Sequence, residues 1–224
     1  MPGPDASIPP SARASLERLR AGNRRFVSGV RSLEVLARQG RPGDRVEGQA
    51  PFAVVLGCSD SRVPVELVFD QGLGDLFVIR VAGNIVAPSQ VGSVEFAAEQ
   101  FGTRLVVVLG HSRCGAIQAT LAELRRPTGS HSRNLRSIVD RIRPSVEGLL
   151  SAGPGHEPDA LERQATRANV RASADHLRHG SALLEHLIKN AGLLVVGAEY
   201  SVDTGSVEFF DGADETIEEA ERGA

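Results

Sequence analysis

The sequence predicts an α/β domain: a central, mostly parallel β-sheet flanked by helices, with an antiparallel edge strand and an N-terminal helical arm. Three observations lead there. Short runs at Phe52 to Leu56, Leu76 to Val81, Leu105 to Leu109 and Leu193 to Ala198 are apolar at nearly every position, as strands buried on both faces of a parallel sheet must be. Helical patterns lie between them and supply the crossovers that parallel strands need. Val207 to Phe210 follows the turn-forming Val202-Asp-Thr-Gly205 directly, so this run returns as an antiparallel edge.

Taken in order, residues 1–10 hold four prolines and a glycine and read as a flexible lead-in. Ser11 is placed to cap a helix on which Leu16, Leu19, Phe26 and Val27 share one face, ending at Gly29. Residues 38–51, with three glycines and two prolines among charged side chains, form a surface connection. Helical patterns follow at Ser89 to Phe101, Cys114 to Leu124 and, apart from Pro144, Leu135 to Leu150. After a break at Gly153-Pro154-Gly155 and Pro158, residues 159–190 form one long polar helix or two. The expected organisation is a single domain over residues 11–210 followed by an acidic tail, 211–224.

Composition narrows the function classes. Twenty-five Lys+Arg against 28 Asp+Glu leave a net charge of −3, with no basic surface for nucleic acid or an anionic membrane. No apolar run approaches the ~20 residues of a membrane span. The N-terminus has neither a basic nor an apolar leader pattern, and no Asn-x-Ser/Thr site occurs, so a cytoplasmic protein is expected. Cysteine appears twice, at Cys58 and Cys114, too sparsely for a disulfide scaffold.

Two cysteines in such a chain are often plain core residues, and a single disulfide is the next alternative. Position argues against both. Each follows a strand that ends in glycine and sits among Ser, Asp, Arg and His. Cys58 stands just beyond one parallel strand, and His111 and Cys114 just beyond another, at the sheet edge where open α/β folds build their sites. Should those strands be neighbours, two sulfurs and an imidazole converge, a zinc ligand set with one position open. Cys114 would also begin a helix, whose dipole favours thiolate. Asp60 either closes the site as fourth ligand or pairs with Arg62 and leaves that position to water. Gly72-Leu73-Gly74 lacks the third glycine of a dinucleotide loop; His176, His179 and His186 fall on a polar helix, and His131 and His156 in loops, all without a ligand pattern.

Cys58-Ser-Asp-Ser-Arg62, the block from Gly74 to Asn84, and Gly110-His-Ser-Arg-Cys-Gly115 together resemble the β-class carbonic anhydrases, over about Leu16 to Phe210. The resemblance implies one zinc held by Cys58, His111 and Cys114. It implies reversible hydration of carbon dioxide to bicarbonate by zinc-bound hydroxide, with Asp60 and Arg62 gating and orienting it. In the closed form Asp60 itself binds zinc, which low pH should favour. A substrate pocket is implied around Gln49, Phe77, Ala82 and Gly115, with Gln49 and Phe77 supplied by a neighbouring subunit. The functional unit is then a homodimer, which can pair into a tetramer, with the N-terminal helix wrapped on the partner. Ala82 replaces a larger apolar residue, and Phe96 a frequent tyrosine. Arg80 and Tyr200 match two residues of a regulatory bicarbonate site found in some members, but its Trp position is Val55. Hydrolysis of carbonyl sulfide or carbon disulfide on the same scaffold, and a catalytically silent zinc protein, are the competing expectations.

Overall fold

The computed structural model describes residues 10–33, 35, 48–127, 132–151 and 158–213. Expectations for the lead-in, for most of 38–51, for His131 and His156, for the break at 153–155 and for the acidic tail beyond residue 213 lie outside these residues.

Helix α1 spans Ala12–Val27, capped as expected by Ser11, whose hydroxyl accepts from the N–H of Ala14. Strand β1 is Ala53–Gly57, followed by the single-turn helix α2, Val65–Val68, and by β2, Leu76–Arg80. A 3-10 turn at Ala82–Asn84 leads to α3, Pro88–Gln100. Next come β3 at Leu105–His111, α4 at Gly115–Arg125 and α5 at Arg133–Ser151, which runs straight through Pro144. The 159–190 stretch divides into α6, Pro158–His179, and α7, Ala182–Ala191; Ser181 caps the second. Strands β4, Leu194–Tyr200, and β5, Val207–Asp211, complete the fold.

The sheet order is β2-β1-β3-β4-β5, parallel except for the β4–β5 pair. Every residue of β1 and β3 is buried, so their uniformly apolar runs mark two of the three interior strands. Alternate residues face opposite layers. Val55, Val107 and Ala198 pack with α1 and α2, while Val54, Val106 and Val195 pack with α3, α6 and α7. Helix α6 lies close on the sheet: a Cβ on Gly110 or Gly197 would come within 2.5 Å or 2.9 Å of Val170.

Helix α1 folds back onto its own chain. Leu16 and Leu19 are buried against the sheet, each contributing about 2 kcal/mol. Asn23 donates to the carbonyls of Val68 and Gly205 and accepts from the N–H of Val207. This chain's own sheet thus covers Leu16 and Leu19, while Val27 at the end of the helix is 50% exposed.

Asp70 fixes the far end of that contact. Its side chain is fully buried, pairs with Arg25 at 2.6 Å and Arg31 at 3.5 Å, and accepts from the N–H of Ser32. Burial pushes its carboxyl up, but these partners outweigh burial and the net shift is downward. A carboxyl whose folded pKa is depressed contributes stability above its unfolded pKa, about 3.9, and loses it as pH falls through the folded value. Urea midpoints should therefore fall from about pH 5 downward, and Asp70→Asn should flatten that slope while lowering the midpoint at pH 7. An unchanged slope in the variant would remove Asp70 from the acid sensitivity.

Candidate metal centre

Strand order decides the site. The chain leaves β1 towards β2 on one side and returns to β3 on the other, so the ends of β1 and β3 face one another across the point where the order reverses. With Gly57 registered on Leu109, Cys58 follows directly on β1 while His111 ends β3. Cys114 then caps α4.

The ligand atoms of Cys58, His111 and Cys114 lie within 4.8 Å of one another, and all three residues are buried. Ile85, Ile117 and Ile142 surround the two cysteines, so polar interactions inside are weakly screened. His111 Nδ1 lies 2.9 Å from the carbonyl of Ser112. A carbonyl only accepts, so Nδ1 carries the proton and Nε2 keeps its lone pair. That Nε2 is buried and, among the described residues, has no hydrogen-bond partner. An orphaned acceptor facing two sulfurs is the arrangement a soft divalent cation satisfies, and the donor set fits zinc.

The thiols are shifted in opposite directions. A hydrogen bond from Cys114 holds Cys58 at about 4 against the cost of burial, helped by the N–H groups of Gly83 and Asp60. Cys114 is pushed up because it keeps the proton it shares with Cys58, and because it is buried. Without a cation the pair holds one negative charge; two positive charges would allow both sulfurs to ionise.

Asp60 stands at the rim. Its carboxylate takes a two-pronged contact from Arg62, Nε to Oδ1 at 2.9 Å and Nη2 to Oδ2 at 2.7 Å, plus the backbone N–H of Arg62. The contact with Arg62 holds its pKa well below the usual carboxylate range, against a smaller effect of burial. Oδ2 lies 4.0 Å from His111 Nε2, and Asp60 is not part of the converging trio. Arg62 is itself held by the carbonyl of Arg113, a non-glycine residue at φ 57°.

Of the residues expected to line a pocket, Ala82 and Gly115 flank the cluster, one opening the 3-10 turn and the other the first turn of α4. A Cβ on Gly115 would meet nothing within 4 Å. Gln49 is exposed on the segment before β1. Phe77 lies on the edge strand β2, in ring contact with Phe96 and Phe101. Phe96 is 50% exposed. Val55 is fully buried in the core and Tyr200 nearly so. Arg80 holds the metal loop by donating to the carbonyls of Cys58 and Asp60.

Several supporting residues escaped the sequence reading. Gly83, at φ 70°, donates its N–H to Cys58 Sγ at 3.4 Å, and a Cβ there would come within 2.8 Å of Ile142. Asn169 and Ser173 of α6 hold this turn through the carbonyls of Gly83 and Asn84. Their signal was small polar residues at i, i+4 on the face that also carries Ala165, Val170 and Ala174.

A β-sheet centre with a buried Cys-His-Cys trio and a carboxylate held beside it defines a metal-dependent enzyme of the carbonic anhydrase type. The family model described as carbonic anhydrase matches residues 53–207. "Carbonic anhydrase 2" of Mycobacterium tuberculosis (strain ATCC 25618 / H37Rv) is 37% identical over 195 residues, covering 86% of this chain and 89% of that protein. The carbonic anhydrase of Mycolicibacterium smegmatis is 37% identical over 199 residues, covering 87% and 91%. Among solved structures, the β-carbonic anhydrase CafA of Aspergillus fumigatus superposes with a TM-score of 0.70 at 23% identity, over 91% of this chain and 95% of that one. A tetrameric β-carbonic anhydrase of Sordaria macrospora gives 0.67 at 22% identity, over 88% and 97%. The chain belongs to the carbonic anhydrase family, in its β class, and is a lyase.

Replacing Cys58 or Cys114 by Ser, or His111 by Ala, should lower bound zinc from about one per chain to a small fraction of that, read by atomic absorption after dialysis. Full occupancy in any of the three variants would break the ligand assignment.

Proposed function

We propose that this chain catalyses the reversible hydration of carbon dioxide to bicarbonate and a proton, using one zinc ion held by Cys58, His111 and Cys114. The observation that carries this reading is Asp60: a carboxylate kept ionised by Arg62, 4.0 Å from the unpartnered Nε2 of His111. Zinc supplies the Lewis acidity that makes water a nucleophile near neutral pH. Ionised Asp60 is an acceptor only, so it takes a hydrogen bond from the attacking water and aims the lone pair at the carbon. Arg62 holds that carboxylate outside the converging trio, where it would not coordinate the zinc, and the carbonyl of Arg113 keeps Arg62 in place. The proton released passes to solvent.

Ala82 and Gly115 form the inner pocket in this reading, and Gln49 and Phe77 of a second copy close it. An exposed Gln49 and an edge-strand Phe77 support a homodimer, and a structural relative is tetrameric. We place the enzyme in the cytoplasm; among the described residues no helix is long and apolar enough to cross a membrane. In a closed state Asp60 would leave Arg62 and take the fourth ligand position, which lower pH favours.

Asp60→Asn should keep zinc and lose most activity in a stopped-flow hydration assay, about 10²-fold or more. Full activity in that variant would remove Asp60 from the reaction, and zinc without any hydration in the parent protein would point to a sulfur-analogue hydrolase or a silent zinc protein. The gate also predicts hydration that rises with pH between about 6.5 and about 9. A flat profile would argue that Asp60 does not compete for the metal.

A further inference from the structure

Behind the metal loop lies a cavity of about 340 Å³. Its wall includes Ser112 and Arg113, the residues between His111 and Cys114, but none of Cys58, Asp60, Arg62, Gln49, Phe77, Ala82 or Gly115. The cavity is therefore separate from the proposed catalytic pocket. Its volume falls in the range of small-molecule sites.

Two oxygens in it lack partners among the described residues. Thr166 is 1% exposed, and its Oγ1 makes no hydrogen bond, not even to its own helix. Glu162 Oε1 is buried and unpaired, while Oε2 accepts from Gln118. Both line a space with further carboxylates; the Glu162 oxygen only accepts, and the Thr166 hydroxyl can accept or donate. Of those, Glu199 and Glu208 are paired with Arg167, and Asp203 with Arg113. Asp159 and Glu162 have no ion pair among the described residues, and neither has Arg163. Counting Arg167, the surroundings carry two more carboxylates than guanidiniums.

An anion is thus disfavoured by the excess of carboxylates, and a cation that donates hydrogen bonds satisfies both Glu162 Oε1 and the Thr166 hydroxyl. A bare divalent metal does not fit either, because among the described residues the only His, Cys, Asp or Glu trio with converging ligand atoms is the one at Cys58, His111 and Cys114. Asp159, Glu162 and Thr166 recur at i, i+3 and i+7, one stripe of α6, with the two carboxylates about one 5.4 Å turn apart. We infer that this cavity is a binding site for a short aliphatic diamine, one ammonium held by Glu162 and Thr166 and the other by Asp159. Arg163, which also lines the cavity without pairing with either carboxylate, sets a positive charge against a cationic ligand.

The test is calorimetric titration of the full-length, zinc-loaded protein with putrescine, butylamine and magnesium chloride. Saturable binding of putrescine is expected, weaker binding of butylamine, and none of magnesium. Glu162→Gln and Thr166→Val should each weaken putrescine about tenfold, with zinc content unchanged. Arg163→Gln, a change on an exposed side chain, should tighten it and keeps the test alive should either buried variant fail to fold. No saturable heat, or binding that all three substitutions leave unaltered, would overturn the assignment in favour of a cavity filled by water. Magnesium binding lost in Glu162→Gln would overturn it in favour of a metal site.

Discussion

Parallel pairing of β1 with β3 is the constraint on which the rest of the molecule depends. Cys58 and His111 are far apart in sequence, and nothing local to either brings them together. What does so is a register in which Val54 to Gly57 lie beside Val106 to Leu109, all buried on both faces. Loop closure across β2 and α3 is costly in entropy, and the central strands offset it by removing near-continuous aliphatic surface from water. A slip by one residue would turn each strand's side chains to the opposite layer. It would also move Cys58 along the edge relative to His111. Core packing and metal geometry are therefore set by one register.

The site that results stores charge in apolar surroundings. Two buried thiols share a proton, and a buried imidazole is locked into one tautomer by a backbone carbonyl. Without a cation the site keeps an unsatisfied nitrogen and a crowded sulfur pair, a penalty that binding one would relieve. At the rim the logic differs. Arg62 is half exposed, so its pairing with Asp60 adds little to stability. Its value lies in direction: a two-pronged contact fixes the carboxylate plane, and the Arg113 carbonyl fixes the guanidinium in turn.

Much of this was legible in the sequence because the signals were local. Continuous apolar runs between glycines gave the strands to within a few residues, and Ser11 and Cys114 were recognisable as helix starts. The ligand trio was legible only conditionally, since a periodicity does not say which strands are neighbours. Family resemblance, not pattern, supplied that. Supporting contacts were not legible at all. Arg113 acts through a carbonyl turned by a positive φ, which no side-chain pattern encodes. Asn169 and Ser173 act across more than eighty residues, on a helix whose polarity suggested solvent. What α1 docks on was not legible for a similar reason: an amphipathic helix declares that it will be covered, not by what.

Those unread contacts explain why the centre can be preorganised. The turn carrying Gly83 is a single 3-10 turn closed by the N–H of Asn84 on the carbonyl of Val81, and it must present the N–H of Gly83 to Cys58. Helix α6 holds it from one side through Asn169 and Ser173, and α5 closes the other with Ile142, 2.8 Å from where a Cβ would stand, at a φ of 70° that favours glycine. The same α6 rests on Gly110, directly before His111. One helix thus positions the backbone beside both Cys58 and His111 without contributing a ligand. A substitution in α6 that moved it by a fraction of an ångström would shift a sulfur and an imidazole together, since close-packed interiors transmit displacement rather than absorb it. Precision at the metal centre therefore rests on the packing of α6 as much as on the three ligands themselves.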